Sequence, residues 1–126
     1  MNGIKIEAVS VSWLIIFTHV GLKISLPNGT TVVYANAPGR GVVRQSLAEF
    51  NAGRCVTCTP INAADPYAVL ARAEHALGTA YDLLSWNCEH FVNWALGVAP
   101  ISPQLRAAGA GLLAGLLVTQ LSDSKR

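Results

Sequence analysis

The most constraining feature of this sequence is a turn signal, Pro27-Asn28-Gly29, that separates two β-prone stretches. The stretch before the turn covers residues 9–25 and the stretch after it covers residues 30–35, and both are rich in aliphatic side chains. Asn-Gly is the strongest short hairpin signal because both positions accept positive φ at low cost. The sequence therefore predicts a β-hairpin, and a two-residue Asn28-Gly29 turn would place Gly21 opposite Asn36 and Lys23 opposite Tyr34.

Two helices are predicted further along the chain. Asp65 is an N-cap candidate followed by Pro66 at the first helical position, and apolar residues recur at spacings of three and four as far as Gly78. These signals predict a helix over residues 66–77. Asn87 is a second N-cap candidate, and it opens a predicted helix over residues 88–96 that ends at Gly97.

Length and charge narrow the class of protein. The chain has 126 residues, so we expect one domain at residues 1–100 and a separate tail at residues 101–126. Its three cysteines are an odd number without a disulfide pattern, which favours a reducing, cytoplasmic location. The net charge is +2 and no run of Lys or Arg is present, so we expect no nucleic-acid partner.

Cys88 is the candidate nucleophile. A helix N-terminus lowers the pKa of a thiol because backbone N–H groups and the peptide dipoles favour negative charge. The same N–H groups could stabilise the oxyanion of an acyl-transfer intermediate. His19 is the candidate base, because it lies on a predicted strand in an apolar setting. His75 is expected to be solvated, and His90 is expected to pack or to cap the helix.

An imidazole base needs a partner that fixes its tautomer. In the predicted register Asn36 lies one diagonal step from His19 on the same face, so Asn36 is the first candidate and Tyr34 the second. Cys55 and Cys58 form a C-x-x-C pair, but no second pair exists for zinc, so we expect no metal site and no cofactor.

One segment of the chain resembles the signature of the lecithin:retinol acyltransferase-like family: Asn87-Cys88-Glu89-His90-Phe91-Val92, with Tyr81-Asp82-Leu83-Leu84 before it and Trp94 after it. Thr18-His19-Val20-Gly21 is similar to the first histidine segment of that family, and Val43-Arg44-Gln45-Ser46-Leu47 is similar to its intervening region. The resemblance covers residues 10–97.

The resemblance implies a circularly permuted papain-like α+β fold, in which an antiparallel sheet packs against helices and the cysteine lies at a helix N-terminus. It implies Cys88 as nucleophile, His19 as base and a thioester acyl-enzyme. The family's second histidine is absent, and residues 32–34 or Asn36 occupy its region. Similar cysteine peptidases and amidases use a variable polar third residue, so Asn36 is compatible with activity.

Three functions follow from these residues. The first is acyl transfer or hydrolysis on lipid esters, as in a phospholipase A-like enzyme. The second is hydrolysis of an amide bond by a peptidase or amidase on the same scaffold. The third is a membrane-bound interaction module without turnover, which the absent second histidine motivates.

The tail carries an uncharged apolar run at residues 107–121. Fifteen residues of helix measure about 22 Å, which is shorter than the roughly 30 Å hydrocarbon core of a bilayer. We expect the tail to associate with a membrane surface, the alternative being a helix that fills a groove of the domain. Gly111 and Gly115 have the spacing that allows two helices to approach closely, so self-association is a further expectation.

Overall fold

The computed structural model describes residues 3–14 and 17–98, so the tail at residues 101–126 and the spacing of Gly111 and Gly115 lie outside the described residues. Five strands and three helices follow one another in this part of the chain. In chain order they are β1 (Lys5–Leu14), β2 (Phe17–Ser25), β3 (Thr31–Ala37), β4 (Gly41–Gln45), α1 (Leu47–Asn51), β5 (Thr57–Ile61), α2 (Pro66–Ala76) and α3 (Cys88–Leu96).

The strands form one antiparallel sheet with the order β4-β3-β2-β1-β5. The predicted α+β class with an antiparallel sheet is therefore confirmed. The apolar stretch at residues 9–25 is two strands rather than one, and β1 pairs with β2 so that Val11 lies opposite His19. Strand β5 is at the sheet edge, where Pro60 can be accommodated because one side of an edge strand needs no ladder hydrogen bonds.

The β2–β3 hairpin is present, but its turn has three residues. The Gly29 N–H donates to the Leu26 carbonyl oxygen at 2.9 Å, and the Leu26 N–H donates to the Thr30 carbonyl oxygen at 2.7 Å. Pro27 and Asn28 are thus the central turn residues. Gly29 follows them with φ of 93°, the left-handed conformation that closes a three-residue hairpin loop.

The extra loop residue shifts the strand register by one. Leu22, and not Lys23, pairs with Tyr34, and β3 is displaced in the same way along its length. The predicted pairing of Gly21 with Asn36 is therefore wrong. Because side chains alternate between the faces of a strand, a shift of one residue moves Tyr34 to the opposite face from the one predicted.

Each face of the sheet is covered by its own apolar cluster. The larger cluster lies under α2 and α3, and the smaller one includes Phe50 of α1. The strand residues of the larger cluster are Ile6, Leu22, Ile24, Tyr34 and Val42, and Ile4 joins them from just before β1. Those of the smaller cluster are Val9, Val11, Val33 and Ala35.

The helix ends follow the predicted capping residues. Asp65 accepts a hydrogen bond from the Ala68 N–H at 3.2 Å, and Pro66 occupies the first position of α2. Helix α2 ends at Ala76, one residue earlier than predicted, and Gly78 follows with φ of 87°. Helix α3 ends at Leu96, and Gly97 caps it in the left-handed conformation.

Candidate active site

The first turn of α3 is fixed by reciprocal hydrogen bonds around Asn87. Its side-chain oxygen accepts from the Glu89 N–H at 2.9 Å and from the His90 N–H at 3.1 Å. The Asn87 N–H in turn donates to Nδ1 of His90 at 3.0 Å. The predicted capping role of His90 is confirmed. The cap also engages two of the backbone N–H groups that the sequence had suggested for an oxyanion.

Cys88 is the first residue of α3, and its sulfur lies against β2. Its thiol donates to the Thr18 carbonyl oxygen at 3.9 Å, and the Val20 N–H also points to the sulfur. Among the described pairs, β2 is paired with β3 only from Leu22 onward. The sulfur therefore binds the Thr18 carbonyl oxygen and the Val20 N–H, the groups on either side of His19 that a paired neighbouring strand would otherwise bind.

His19 lies at the same level of β2, and its ring packs against α1. The imidazole stacks on the Phe50 ring with centroids 5.0 Å apart and an interplanar angle of 25°. Gly21 makes this approach possible, since a Cβ there would lie 3.1 Å from the Phe50 ring. His19 is 2% exposed, so the imidazole is shielded from solvent.

Burial sets the protonation of both groups. It raises the pKa of the Cys88 thiol above its usual value, although backbone hydrogen bonds from Val20, Glu89 and Cys88 itself act in the opposite direction. It lowers the pKa of His19 to about 4. The predicted lowering of the Cys88 pKa by the helix terminus is wrong, because desolvation outweighs the backbone donors here. At neutral pH the site holds a neutral thiol and a neutral imidazole.

Asn36 contacts the cysteine segment. Its Nδ2 donates to the Trp86 carbonyl oxygen at 2.6 Å and to the Asn87 carbonyl oxygen at 3.3 Å. The residue is completely buried, and its Oδ1 has no hydrogen-bond partner among the described residues. The register that placed Asn36 beside His19 is wrong, and the amide instead joins β3 to the two residues before Cys88.

Tyr34 has a different partner from the predicted one. Its hydroxyl donates to the Glu74 carboxylate on α2, and Arg44 of β4 contacts the same carboxylate at 2.5 Å. Burial and the Glu74 hydrogen bond raise the pKa of Tyr34 to about 12. Tyr34 shares the face of Leu22 rather than that of His19, so the predicted orienting role loses its geometric basis.

Tyr81 lies close enough to Cys88 for the charge of the thiolate to affect its pKa, and the sequence did not single it out. Burial raises its pKa to about 12, and the charges of Cys88, Glu89 and Asp82 act in the same direction. Its position in the signature segment, seven residues before Cys88, was the only sequence sign.

A small cavity opens beside the first turn of α3. It has a volume of about 170 Å³ and is lined by Ala8, Val20, Glu89, Val92 and Asn93. Val20 and Glu89 also contribute backbone hydrogen bonds to the Cys88 sulfur. A larger cavity of about 600 Å³ lies near Arg72 and Gly97, at the other end of α3, and is remote from the candidate nucleophile.

The family model of lecithin retinol acyltransferase matches residues 8–98, a range that includes both His19 and Cys88. The chain belongs to this family. Neither the curated proteins nor the solved structures contain a significant match to the chain. Members of the lecithin retinol acyltransferase family are generally enzymes, and membership indicates acyltransferase or phospholipase-like activity on lipids.

Within residues 3–14 and 17–98, no helix has the length and apolar character that crossing a bilayer requires.

Proposed function

We propose that this protein transfers or hydrolyses acyl groups of lipid esters through a thioester on Cys88, with His19 as the general base. One observation supports the assignment above all others. The Cys88 sulfur is in contact with the backbone of Thr18 and Val20, the residues on either side of His19, inside the segment that matches an acyltransferase family.

The chemistry begins with a thiol and not a thiolate. As Sγ of Cys88 attacks the ester carbonyl carbon, its S–H bond breaks and the proton, which the thiol had donated to the Thr18 carbonyl oxygen as a hydrogen bond, passes to the imidazole of His19. The Cys88 N–H is the donor we assign to the developing oxyanion. Collapse of the intermediate breaks the ester C–O bond, and the imidazolium returns the proton to the leaving alkoxide.

The second half of the reaction regenerates the enzyme. His19, again neutral, takes a proton from water or from an acceptor alcohol or amine as that group attacks the thioester carbonyl. Cys88 leaves as the thiolate and recovers its proton from the imidazolium. The low pKa of His19, about 4, keeps the ring available as a base throughout the neutral range.

Asn36 acts on this reaction by positioning. Its amide binds the carbonyl oxygens of Trp86 and Asn87, and so holds the start of α3 against β3. In our proposal Asn36 takes the strand position of a second histidine but serves the cysteine segment rather than the imidazole.

Covalent labelling tests the nucleophile. A thiol-directed acyl probe should add one acyl mass to the wild-type chain and to Cys55→Ser, whereas Cys88→Ser should show no adduct at the same site by intact mass and peptide mapping. Cys55 is a suitable control because it is exposed in this structure. Equal labelling of the two variants would remove Cys88 from the mechanism.

A non-catalytic membrane module is the second candidate. The observation in its favour is the burial of Cys88, which is 1% exposed and has a raised pKa. Steady product release from phospholipid by the wild type, lost in His19→Ala, excludes it. A wild type that releases no product from phospholipid under conditions that label Cys88 favours it.

A further inference from the structure

Two adjacent leucines project from the segment that precedes Cys88. Leu83 is 51% exposed and Leu84 is 56% exposed. Among the described residues, the other large apolar side chains that are more than half exposed, Tyr67 and Val98, lie at separate places on the chain. Single exposed apolar residues are common on protein surfaces, but a contiguous pair next to a candidate nucleophile is not accounted for by packing.

The turn that carries these leucines is closed by local hydrogen bonds. The Asp82 carboxylate accepts from the N–H groups of Leu84 and Ser85, each at 3.0 Å. The backbones of Asp82 and Trp86 exchange two further hydrogen bonds of 2.9 and 2.8 Å. The leucines therefore lie in a turn that four local hydrogen bonds close.

The same turn is joined to the nucleophile end of α3. The Asn87 side-chain Nδ2 donates to the Leu83 carbonyl oxygen at 3.0 Å, and Cys88 follows Asn87 directly. Tyr81, at the start of the turn, is half-buried and lies close enough for the charge of Cys88 to act on it. One short segment therefore presents two leucines to solvent and is tied by a hydrogen bond to Asn87, the residue that precedes Cys88.

We propose that Leu83 and Leu84 form an interfacial anchor that inserts into a lipid surface and brings the Cys88 end of α3 to the membrane. Two side chains are too small a patch for a stable protein partner, which needs about 800 Å² on each side. They are sufficient for insertion into the acyl region, where contact area and not shape complementarity gives the affinity.

The role of this anchor rests on the proposed function, since a lipid ester must reach Cys88 from a membrane. Its contact with a lipid surface does not depend on catalysis. No lysine or arginine occurs between Thr79 and Gly97, so we expect the contact to be apolar and to persist at high salt. Zwitterionic phosphatidylcholine is therefore the appropriate test surface.

Quenching by brominated lipid tests the contact without any catalysis. In the full-length chain, Leu84→Trp places a fluorophore at the anchor, and Tyr67→Trp places one at a matched exposed site on α2. Vesicles of phosphatidylcholine with bromine near the headgroup should quench the added fluorescence of Leu84→Trp at least about twofold more than that of Tyr67→Trp, since only the anchor enters the acyl region. The difference should remain at high salt.

Equal quenching of the two variants would overturn the anchor. Quenching of neither variant would also overturn it, and this is the result expected if the leucines bind a protein partner instead. Any attachment through the tail is common to both variants and cancels. The native tryptophans contribute the same background to both.

Turnover provides a second measurement. For the double variant Leu83→Ser/Leu84→Ser, the ratio of turnover on vesicle phospholipid to turnover on a monomeric short-chain ester should fall at least about tenfold, because the apolar contact is lost. Tyr67→Ser should keep the wild-type ratio. An unchanged ratio in the double variant would overturn the anchor. A wild type inactive on both substrates would contradict the proposed function, and the quenching experiment would still decide the anchor.

Discussion

Cys88 shows how burial competes with a helix terminus. The backbone N–H groups around the sulfur favour the thiolate, as a helix N-terminus should. Cys88 is nevertheless buried, with its sulfur against β2, and removal of water disfavours charge more strongly. The result is a thiol that stays protonated until a base receives its proton, which makes His19 necessary in the proposed mechanism.

The buried imidazole makes stability depend on pH. Folding lowers the pKa of His19 from 6.5 to about 4, so above pH 6.5 both folded and unfolded chains hold the ring neutral. As the pH falls from 6.5 to about 4, the unfolded chain binds a proton at His19 that the folded chain does not bind, so the folded state loses stability. The full shift is worth about 3 kcal/mol.

We therefore expect His19→Phe to flatten the acid side of the stability curve. Between neutral pH and about pH 4, the free energy of unfolding of the wild type should fall by about 3 kcal/mol more than that of the variant, as measured by urea titration. Carboxylates that titrate in this range are common to both chains and cancel in the difference. Parallel curves would mean that the pKa of His19 is the same in the folded and the unfolded chain.

At the scale of elements, the sequence predicted what depends on local chemistry. The caps of α2 and α3 were recognised because Asp65 and Asn87 satisfy N–H groups within their own first turns. The register of the β2–β3 hairpin was missed by one residue. Asn28-Gly29 alone would close a two-residue loop, but Pro27 is also a turn residue because its fixed φ suits the first central position.

The missed register had consequences for the site. It placed Tyr34 on the same face as Lys23 and His19, and so suggested contacts with His19 that the strands do not make. The true partners, Glu74 for Tyr34 and the carbonyl of Trp86 for Asn36, are 40 and 50 residues away in sequence. Local patterns carry no information about such contacts, because tertiary packing determines them.

Asn36 offers a test of how β3 holds the start of α3. Asn36→Ala should lower the free energy of unfolding by about 1–3 kcal/mol, because it removes two hydrogen bonds, one to the carbonyl oxygen of Trp86 and one to that of Asn87. Asn36→Asp should lower it further, since a carboxylate presents only acceptors to the carbonyls of Trp86 and Asn87. Chemical denaturation measures both changes.

The exposed Asn62 gives the matched control for these variants. Asn62→Ala and Asn62→Asp should each change the free energy of unfolding by less than about 0.5 kcal/mol, as surface substitutions usually do. If Asn36→Asp were as stable as the wild type, the amide would not be donating to those carbonyls, and its positioning role would be lost.

At the scale of the whole molecule, we propose two separate contacts with a membrane, one through the described domain and one through the tail. The domain offers the Leu83 and Leu84 anchor beside the candidate site. The tail offers the uncharged run at residues 107–121, for which we propose attachment to the membrane from the cytoplasmic side. The two contacts have different effects. An attached tail would hold the protein at the surface, whereas the anchor would orient the Cys88 end of α3 toward it.

Deletion of residues 104–126 separates attachment from packing. If the tail binds membrane, co-sedimentation of the truncated chain with phosphatidylcholine vesicles should fall at least about tenfold, because burial of several apolar side chains is lost. The midpoint of thermal unfolding should stay the same, since residues 8–98 carry the family fold. A tail that packs into a groove of the domain reverses both results, lowering the midpoint while vesicle binding is unchanged.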